Sequence, residues 1–219
     1  NNLELAAKAI NGTVLMPGET FSYNQTVGER TISAGYKAAA AYAGGKVIQD
    51  VGGGICQISS TLYNAVLLAN LEITDRSNHC FETSYVPAGR DATVNWGTVD
   101  FQFKNNRKYP IKIETTAGGG IATAKIHWLK EENEYEVVIQ SKVTSYISRT
   151  TRYKNDSTMD EGKEVIEDNG FDGCNSETYK ILKLNGEVVS QALISRDSYD
   201  PMDRIIIRGT KKVVKPEQE

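Results

Sequence analysis

The chain has 219 residues, of which 39% are hydrophobic and 24% are charged, so it is long enough for one large globular domain or two small ones. Its formal net charge of -3, without a basic block, argues against nucleic acid as a partner. No apolar stretch approaches the ~20 residues that a membrane span needs.

The first predicted element is a short amphipathic helix at residues 3–10, which Asn11-Gly12 would end. No signal peptide precedes it, and the chain opens on residues typical of the inside of a helix. We therefore expect a fragment of a longer protein, in which any membrane attachment would come through a missing N-terminal anchor.

A run of three glycines leads to the first cysteine, in Gly52-Gly53-Gly54-Ile55-Cys56-Gln57, and apolar residues recur at helical spacing from there to Leu71. Unpaired backbone amides at a helix N-terminus carry partial positive charge, so they favour a thiolate over a thiol. Glycines also allow a sharp turn and the close approach of another segment. The run predicts a cysteine nucleophile; the alternative is that Cys56 is a small buried side chain.

His79 is the first candidate for the base that such a nucleophile needs. It follows the predicted helix, and a short turn would bring its imidazole back towards Cys56. His127 lies in an alternating strand, where it is expected to face solvent or to pack structurally. Asp91 and Asp100 are the candidates to orient His79, and Asp91 is preferred because a turn-like Gly89-Arg90 precedes it.

Arginines could hold a substrate carboxylate, because a guanidinium group binds it in a two-pronged geometry. Arg30, Arg76 and Arg90 are the candidates. The backbone amides of Cys56 and Gln57 could stabilise an oxyanion. The residues expected to contact substrate are two of these arginines, the start of the Cys56 helix and one tyrosine: Gly53, Gly54, Gln57, Ser59, Arg76, Tyr85 and Arg90. As side chains, Ser59 and Ser60 are expected on the helix surface rather than as nucleophiles.

The other cysteines, Cys80 and Cys174, do not suggest a disulfide framework, because three cysteines cannot all pair within one chain. Zinc-type spacing is absent, and we expect neither a metal nor a cofactor. Cys80 is a rival nucleophile or a disulfide partner of Cys56, but no glycine-rich turn leads to it.

From Tyr85 onward the pattern changes to strands, with apolar and polar residues alternating between Val94 and Phe103. Residues 111–113 and 121–128 are predicted to pair as a hairpin. The charged segment 130–134 is interpreted as a domain boundary. Beyond it, residues 135–210 predict a thin, extended β-module with a hairpin turn at Asn185-Gly186, followed by a charged tail from Lys211 to Glu219.

Together these elements predict an α+β protein of two domains. In residues 1–130, a central helix carrying Cys56 would pack on an antiparallel sheet formed by residues 85–128. Residues 131–219 would form the small, extended all-β module with its charged tail.

Ordered motifs over residues 1–128 resemble the VanW family, whose name comes from an accessory gene of glycopeptide (vancomycin) resistance. The motifs include the segments 11–15, 17–22, 52–57, 59–63 and 89–92. Cys80 departs from the pattern, since a small polar residue is expected after His79. Residues 135–210 resemble a small extracellular module named for its five signature glycines, on the strength of Gly162, Gly170, Gly173, Asn185-Gly186 and Gly209-Thr210.

These resemblances imply a protein that acts on peptidoglycan, its stem peptides and glycan, outside a Gram-positive-type bacterium, in the wall or on a membrane-anchored surface. The VanW resemblance implies L,D-transpeptidation, in which Cys56 forms a thioester, His79 transfers protons and 3-3 cross-links result. The alternatives are a non-catalytic peptidoglycan-binding surface protein and a cysteine peptidoglycan hydrolase. The oligomeric state is left open.

Overall fold

The computed structural model describes residues 1–43, 46–132 and 134–212. In this part of the chain the helices are α1 (Asn2–Ile10), α2 (Tyr23–Val27) and α3 (Cys56–Leu68). The predicted helix at residues 3–10 is confirmed, and it ends where the backbone N–H of Asn11 donates to the carbonyl oxygen of Ala7. The helix predicted after the glycine run is also present and begins at Cys56 itself.

Short antiparallel strands form three small sheets in the first half of the chain. Their order is β1-β7-β8 in one sheet, β2-β6-β5 in the second and a β3-β4 hairpin in the third. The predicted hairpin across the glycines at 118–120 is confirmed by the pairing of β7 with β8. The strands are β1 (Val14–Leu15), β2 (Thr20–Ser22), β3 (Ala38–Ala43), β4 (Lys46–Val51), β5 (Glu72–Asp75), β6 (Gln102–Lys104), β7 (Ile111–Gly118) and β8 (Ile121–Trp128).

Longer strands form two sheets in the second half, with orders β13-β12-β9 and β10-β14-β11. All pairs are antiparallel except β10 with β14, which is parallel. Asn185 and Gly186 both have positive φ, 53° and 85°, as a two-residue hairpin between β12 and β13 requires. The strands are β9 (Glu136–Ile147), β10 (Thr151–Asp160), β11 (Glu164–Asp168), β12 (Gly173–Leu184), β13 (Glu187–Tyr199) and β14 (Arg204–Lys211).

The predicted charged tail lies, from residue 213 onward, outside the described residues. Lys211, where that tail was expected to begin, ends β14 and pairs with Asp160 of β10.

The main apolar core lies in the first half, between the helices and the sheets. Its fully buried side chains include Ile10, Tyr23, Leu62, Val66, Phe101, Phe103 and Ile113. Ile139 of β9 and Ile194 of β13 pack against the same core. In the second half most described side chains are exposed, and several of the buried ones lie on β12 and β13. The second half therefore covers part of the core of the first.

The predicted α+β architecture is wrong. The chain is mostly β, with 50% strand and 13% helix, and its strands are divided among several small sheets instead of one sheet beneath a central helix. Part of the error lies in residues 85–100, where strands were expected and the described pairing is limited to isolated bridges, Ser77–Thr93 and Asn95–Val99. Side chains replace a strand partner there, since the amide of Asn24 donates to the carbonyl oxygens of Asn95 and Val99.

Candidate functional site

The glycine run before α3 is shaped both by a turn and by a close approach. Gly52 and Gly54 have φ values of 84° and 88°, in the left-handed region that glycine adopts without a steric penalty. At Gly53 a Cβ atom would lie 2.3 Å from the carbonyl oxygen of Ala39, so only glycine lets β3 pass. This geometry places Cys56 at the first position of α3, half-buried, with its thiol donating to the carbonyl oxygen of Val94 at 3.5 Å.

His79 is buried and held by a single carboxylate. Its Nδ1 lies 2.6 Å from Oδ2 of Asp91, and its backbone N–H donates to the same oxygen at 2.7 Å. Its other ring nitrogen, Nε2, lies 3.4 Å from the hydroxyl of Tyr85. Asp100, the alternative orienting acid, accepts instead from Ser22 Oγ at 2.5 Å and from the Asn24 backbone at 2.8 Å.

Charge couples this histidine to the thiol as well as to the carboxylate. Burial disfavours the imidazolium form, but interactions with Asp91 and Cys56 outweigh it and raise the pKa of His79 to about 9. Burial likewise disfavours the ionised form of Asp91, but hydrogen bonds from His79 and Tyr199 lower the pKa of this carboxyl. At neutral pH the pair is therefore an imidazolium and a carboxylate, within interaction range of the Cys56 thiol.

The other oxygen of Asp91 is held from two directions. Oδ1 accepts from Nη2 of Arg76 at 3.0 Å and from the hydroxyl of Tyr199 at 2.5 Å. Arg76 also pairs with Asp197, and its guanidinium lies over the ring of Tyr63, 5.2 Å from the centroid. Both Arg76 and Asp91 are almost completely buried.

Tyr199 and Asp197 belong to β13, and sequence reasoning missed both. Nothing in the neighbouring sequence marks them as site residues, because they lie in a strand that was predicted to belong to the separate, extended β-module.

The arginines proposed as carboxylate clamps are occupied by groups of the protein. Arg76 contacts two carboxylates, as described above. Arg90 donates to Asn64 Oδ1 at 2.6 Å and to the carbonyl oxygen of Ile139 at 3.3 Å, and burial lowers its pKa. Arg30 donates through Nη1 to Asn24 Oδ1 at 2.8 Å. In the structure these arginines therefore bind groups of the protein itself.

The remaining predicted contact residues differ in access. Tyr85 is 38% exposed and lies beside His79. Gln57 is half-buried, and its N–H donates to the carbonyl oxygen of Gly54. Ser59 and Ser60 were expected on the helix surface, but both are fully buried, and Ser59 Oγ donates to the Ala92 carbonyl at 2.6 Å. These serines fasten α3 to the segment that follows Asp91.

Neither of the other cysteines nor the second histidine joins this site. All three thiols are free, and burial raises the pKa of Cys80 and of Cys174. His127 is exposed, and its Nε2 lies 3.0 Å from Oε2 of Glu114. Over the described ranges there is no group of three or more His, Cys, Asp or Glu side chains arranged to hold a metal ion.

An open cleft of about 610 Å³ adjoins the histidine. Its walls come from residues 82–87 on one side and from Phe171 and Asp172 on the other. Tyr85 belongs to both the cleft and the surroundings of His79. The cleft therefore lies between the two halves of the chain, and Tyr85 separates it from His79.

None of the described helices is both long and apolar enough to span a membrane.

The chain is similar to two known proteins over about half of its own length. It is 52% identical over 120 residues to the uncharacterized protein YoaR of Bacillus subtilis (strain 168), an alignment that covers 55% of this chain and 40% of that protein. It is 36% identical over 120 residues to the vancomycin B-type resistance protein VanW of Enterococcus faecalis (strain ATCC 700802 / V583), covering 52% of this chain and 44% of that protein. The chain thus matches less than half the length of either relative.

Among solved structures, the G5 domain of IgA1 protease matches 37% of this chain and 98% of its own, with 26% identity. Its TM-score of 0.26 is too low to support a conclusion about fold or ligand.

Two family models match the chain in succession. The model described as VanW like protein matches residues 1–127, which is more than half of the chain, and the G5 domain model matches residues 138–211. The resemblance of the first half is thereby confirmed, and the second half carries a G5 domain. The chain therefore belongs to the VanW family.

Proposed function

We propose that this chain is a cell-wall-associated enzyme that uses Cys56 to transfer acyl groups between peptidoglycan stem peptides. The observation that carries the proposal is that Asp91 holds His79 at 2.6 Å and that Cys56 lies near enough to contribute to the raised pKa of His79. The wall as location is supported by VanW family membership, by a relative named as a vancomycin resistance protein and by the G5 domain.

The protonation state of His79 suits the first chemical step. The step begins from the thiolate of Cys56, which is the nucleophilic form of a cysteine side chain, and from the imidazolium of His79. The sulfur attacks the carbonyl carbon of the third residue of a tetrapeptide stem. The bond from that carbon to the nitrogen of the terminal D-alanine breaks, and His79 gives its proton to the departing amine. A thioester on Cys56 and a neutral imidazole remain.

The second step reverses these roles. The side-chain amine of another stem attacks the thioester carbon, His79 takes the proton that the amine loses, and the thiolate leaves. The amide that forms is a 3-3 cross-link, and the imidazolium and thiolate are restored. During both steps negative charge develops on the carbonyl oxygen. The backbone N–H of Cys56 is available to it, since no hydrogen bond to another described residue engages that group, whereas the N–H of Gln57 is already engaged.

The cleft beside Tyr85 supports a peptide substrate. Tyr85, whose hydroxyl lies 3.4 Å from His79 Nε2, is one of its lining residues. Because the arginines of the site are occupied by protein groups, recognition of the stem falls to the cleft walls and to backbone groups.

A second candidate is a wall-binding protein without catalysis. The G5 domain favours it, as does the occupation of Arg76 and Arg90, which leaves no evident clamp for a substrate carboxylate. In this case Cys56 and His79 would be structural. A hydrolase would use the same residues but pass the thioester to water.

Incubation of the purified chain with tetrapeptide stems, followed by mass spectrometry of the products, tests the proposal. We expect cross-linked dimers from the wild type, none from Cys56→Ala, and a rate about 10²–10⁴ lower from His79→Gln, which loses the proton-transfer group. Cys80→Ala is the matched control and keeps the wild-type rate. Tripeptides without dimers would indicate a hydrolase. No product, together with unchanged sedimentation of Cys56→Ala with peptidoglycan sacculi, would replace the enzyme by the binding protein.

A further inference from the structure

We propose that strand β13 of the G5 domain supplies two positioning residues, Tyr199 and Asp197, so that the carboxylate of Asp91, which orients His79, is held in place from the second half of the chain. This inference rests on the proposed function, because it assigns Asp91 the task of orienting a catalytic His79. It gives the second half a part in the chemistry beyond attachment to the wall.

Tyr199 uses both hydrogen-bonding capacities of its hydroxyl at this site. The side chain is fully buried, and its O–H donates to Oδ1 of Asp91 at 2.5 Å. The hydroxyl oxygen of Tyr199 also accepts from the backbone N–H of Gly89 at 2.7 Å. Gly89 lies two residues before Asp91, so one phenol fixes both the carboxylate and the backbone that carries it.

Asp197 acts on the same carboxylate through an arginine. Residues two apart in a strand face the same side, so Asp197 and Tyr199 of β13 point towards the first half together. Asp197 pairs with Arg76, whose Nη2 donates to Oδ1 of Asp91 and whose Nε donates to the Asp91 carbonyl oxygen at 2.7 Å. Without Asp197, the guanidinium of Arg76 would lose a contact that orients it towards Asp91.

The backbone before Asp91 is also fitted to the G5 domain. A Cβ atom at Gly89 would lie 2.2 Å from Oγ1 of Thr178 in β12, so only glycine allows this approach. The hydroxyl of Thr178 donates to the carbonyl oxygen of Gly89 at 3.2 Å. The segment 89–91 therefore rests on two strands of the second half.

This arrangement divides the work of Asp91 between its two oxygens. Oδ1 is held by Tyr199 and Arg76, which leaves Oδ2 facing His79. If the hydroxyl of Tyr199 is lost, Oδ1 keeps only its contact with Arg76, so the carboxylate is held less firmly about its last bond. The hydrogen bond between His79 Nδ1 and Oδ2 then weakens.

The test is Tyr199→Phe in the full chain, which keeps the ring and removes only the hydroxyl. Two readouts apply: the downfield proton resonance of His79 Nδ1–H, and the rate of Cys56 alkylation by iodoacetamide, followed on the Cys56 peptide by mass spectrometry. We expect the resonance to shift or broaden and the rate to fall about tenfold, as loss of a hydrogen bond to a charged group implies. The matched control is Tyr179→Phe, which removes a hydroxyl that donates to Glu177 at 2.7 Å, away from the site.

A wild-type resonance and a wild-type rate in Tyr199→Phe would overturn the positioning role and leave the proposed function intact. Conversely, a Cys56 that reacts equally fast in wild type and His79→Ala would overturn the proposed function, while the resonance still decides the role of Tyr199. If Tyr199→Phe does not fold, Asp197→Asn decides. A shifted resonance with a folded chain supports the proposal, and an unchanged one refutes it.

Discussion

Replacing Asp91 by asparagine tests the structure at the point where most of its polar contacts meet. The carboxylate accepts from the backbone and ring of His79, from Arg76 and from Tyr199. An asparagine of the same shape keeps one acceptor oxygen, but it turns an NH₂ group towards donors and removes the charge opposite two cations. Removing one partner of a buried ion pair costs about 3–5 kcal/mol, because the remaining charge stays buried without compensation. We expect a loss of that size in the free energy of unfolding at neutral pH.

The same substitution has a second effect that can be measured independently. Burial lowers the pKa of His79, and without the carboxylate the hydrogen bond and charge of Asp91 no longer raise it. The pKa of His79 is therefore expected to fall from about 9 towards or below the ordinary 6.5. Urea unfolding followed by tryptophan fluorescence gives the stability, and NMR titration of the imidazole Cε1–H gives the pKa. The chain has two histidines, so His127→Gln identifies the signal of His79.

The matched control is Asp100→Asn. Asp100 also accepts from buried neighbours, Ser22 and Asn24, so its loss destabilises the chain, but it leaves the titration of His79 unchanged. If His79 in Asp91→Asn still titrated near 9, the carboxylate would not be the group that holds the imidazolium. If the variant were as stable as wild type, the buried network would carry none of the stability assigned to it.

Two further predictions concern the glycine run and the response to pH. Gly53→Ala is expected to lower the melting temperature and to slow Cys56 alkylation, because its Cβ would meet the Ala39 carbonyl oxygen. The control Gly118→Ala, whose Cβ would lie 3.9 Å from the nearest atom, is expected to leave both unchanged. A Gly53→Ala variant with the wild-type melting temperature and alkylation rate would contradict the close approach. The raised pKa of His79 contributes about 3 kcal/mol of stability that is fully present below pH 6.5 and lost as the pH rises through about 9. Urea unfolding across this pH range should show that the difference in free energy of unfolding between wild type and His79→Gln becomes smaller as the pH rises. A difference that stays constant would refute the assignment.

Local chemistry in the sequence predicted several elements of the fold correctly. The helix that begins at Cys56, the Asn185-Gly186 turn and the β7–β8 hairpin all depend on residues adjacent in the chain. Glycines and Asn-Gly pairs specify backbone conformations that few other residues adopt, so their effect is visible without knowing the surroundings.

The architecture was not predictable in the same way. The alternation between Val94 and Phe103 is typical of a strand, yet the early part of this segment is held by the amide of Asn24, about seventy positions earlier. Burial of Ser59 and Ser60 has a similar cause, since their hydroxyls are satisfied by the backbone of Ala92. A periodic pattern records which residues are apolar, but it does not record these distant polar partners.

The candidate site was predicted in part for the same reason. Cys56, His79 and Asp91 could be proposed because each has a side chain suited to acyl transfer and lies beside a turn or a helix start. The structure brings them into one neighbourhood, whereas Tyr199 and Asp197 reach it from more than one hundred positions further along. Arg76 was proposed for a substrate because a guanidinium binds carboxylates, and the carboxylates that it binds in the structure are those of Asp91 and, from β13, Asp197.

The hydrogen bond from Tyr199 to Asp91 also bears on how this chain can be divided and recombined. The two family models meet near the charged segment 130–134, which invites a cut there. Such a cut would remove Tyr199 from Asp91 and Gly89, remove Asp197 from Arg76, and uncover the core where Ile139 and Ile194 now pack. An inactive truncation would then report a dismantled site, not the absence of an anchor. On the positioning role proposed for β13, a G5 domain from another protein would substitute only if it carried a tyrosine and an aspartate at the positions of Tyr199 and Asp197.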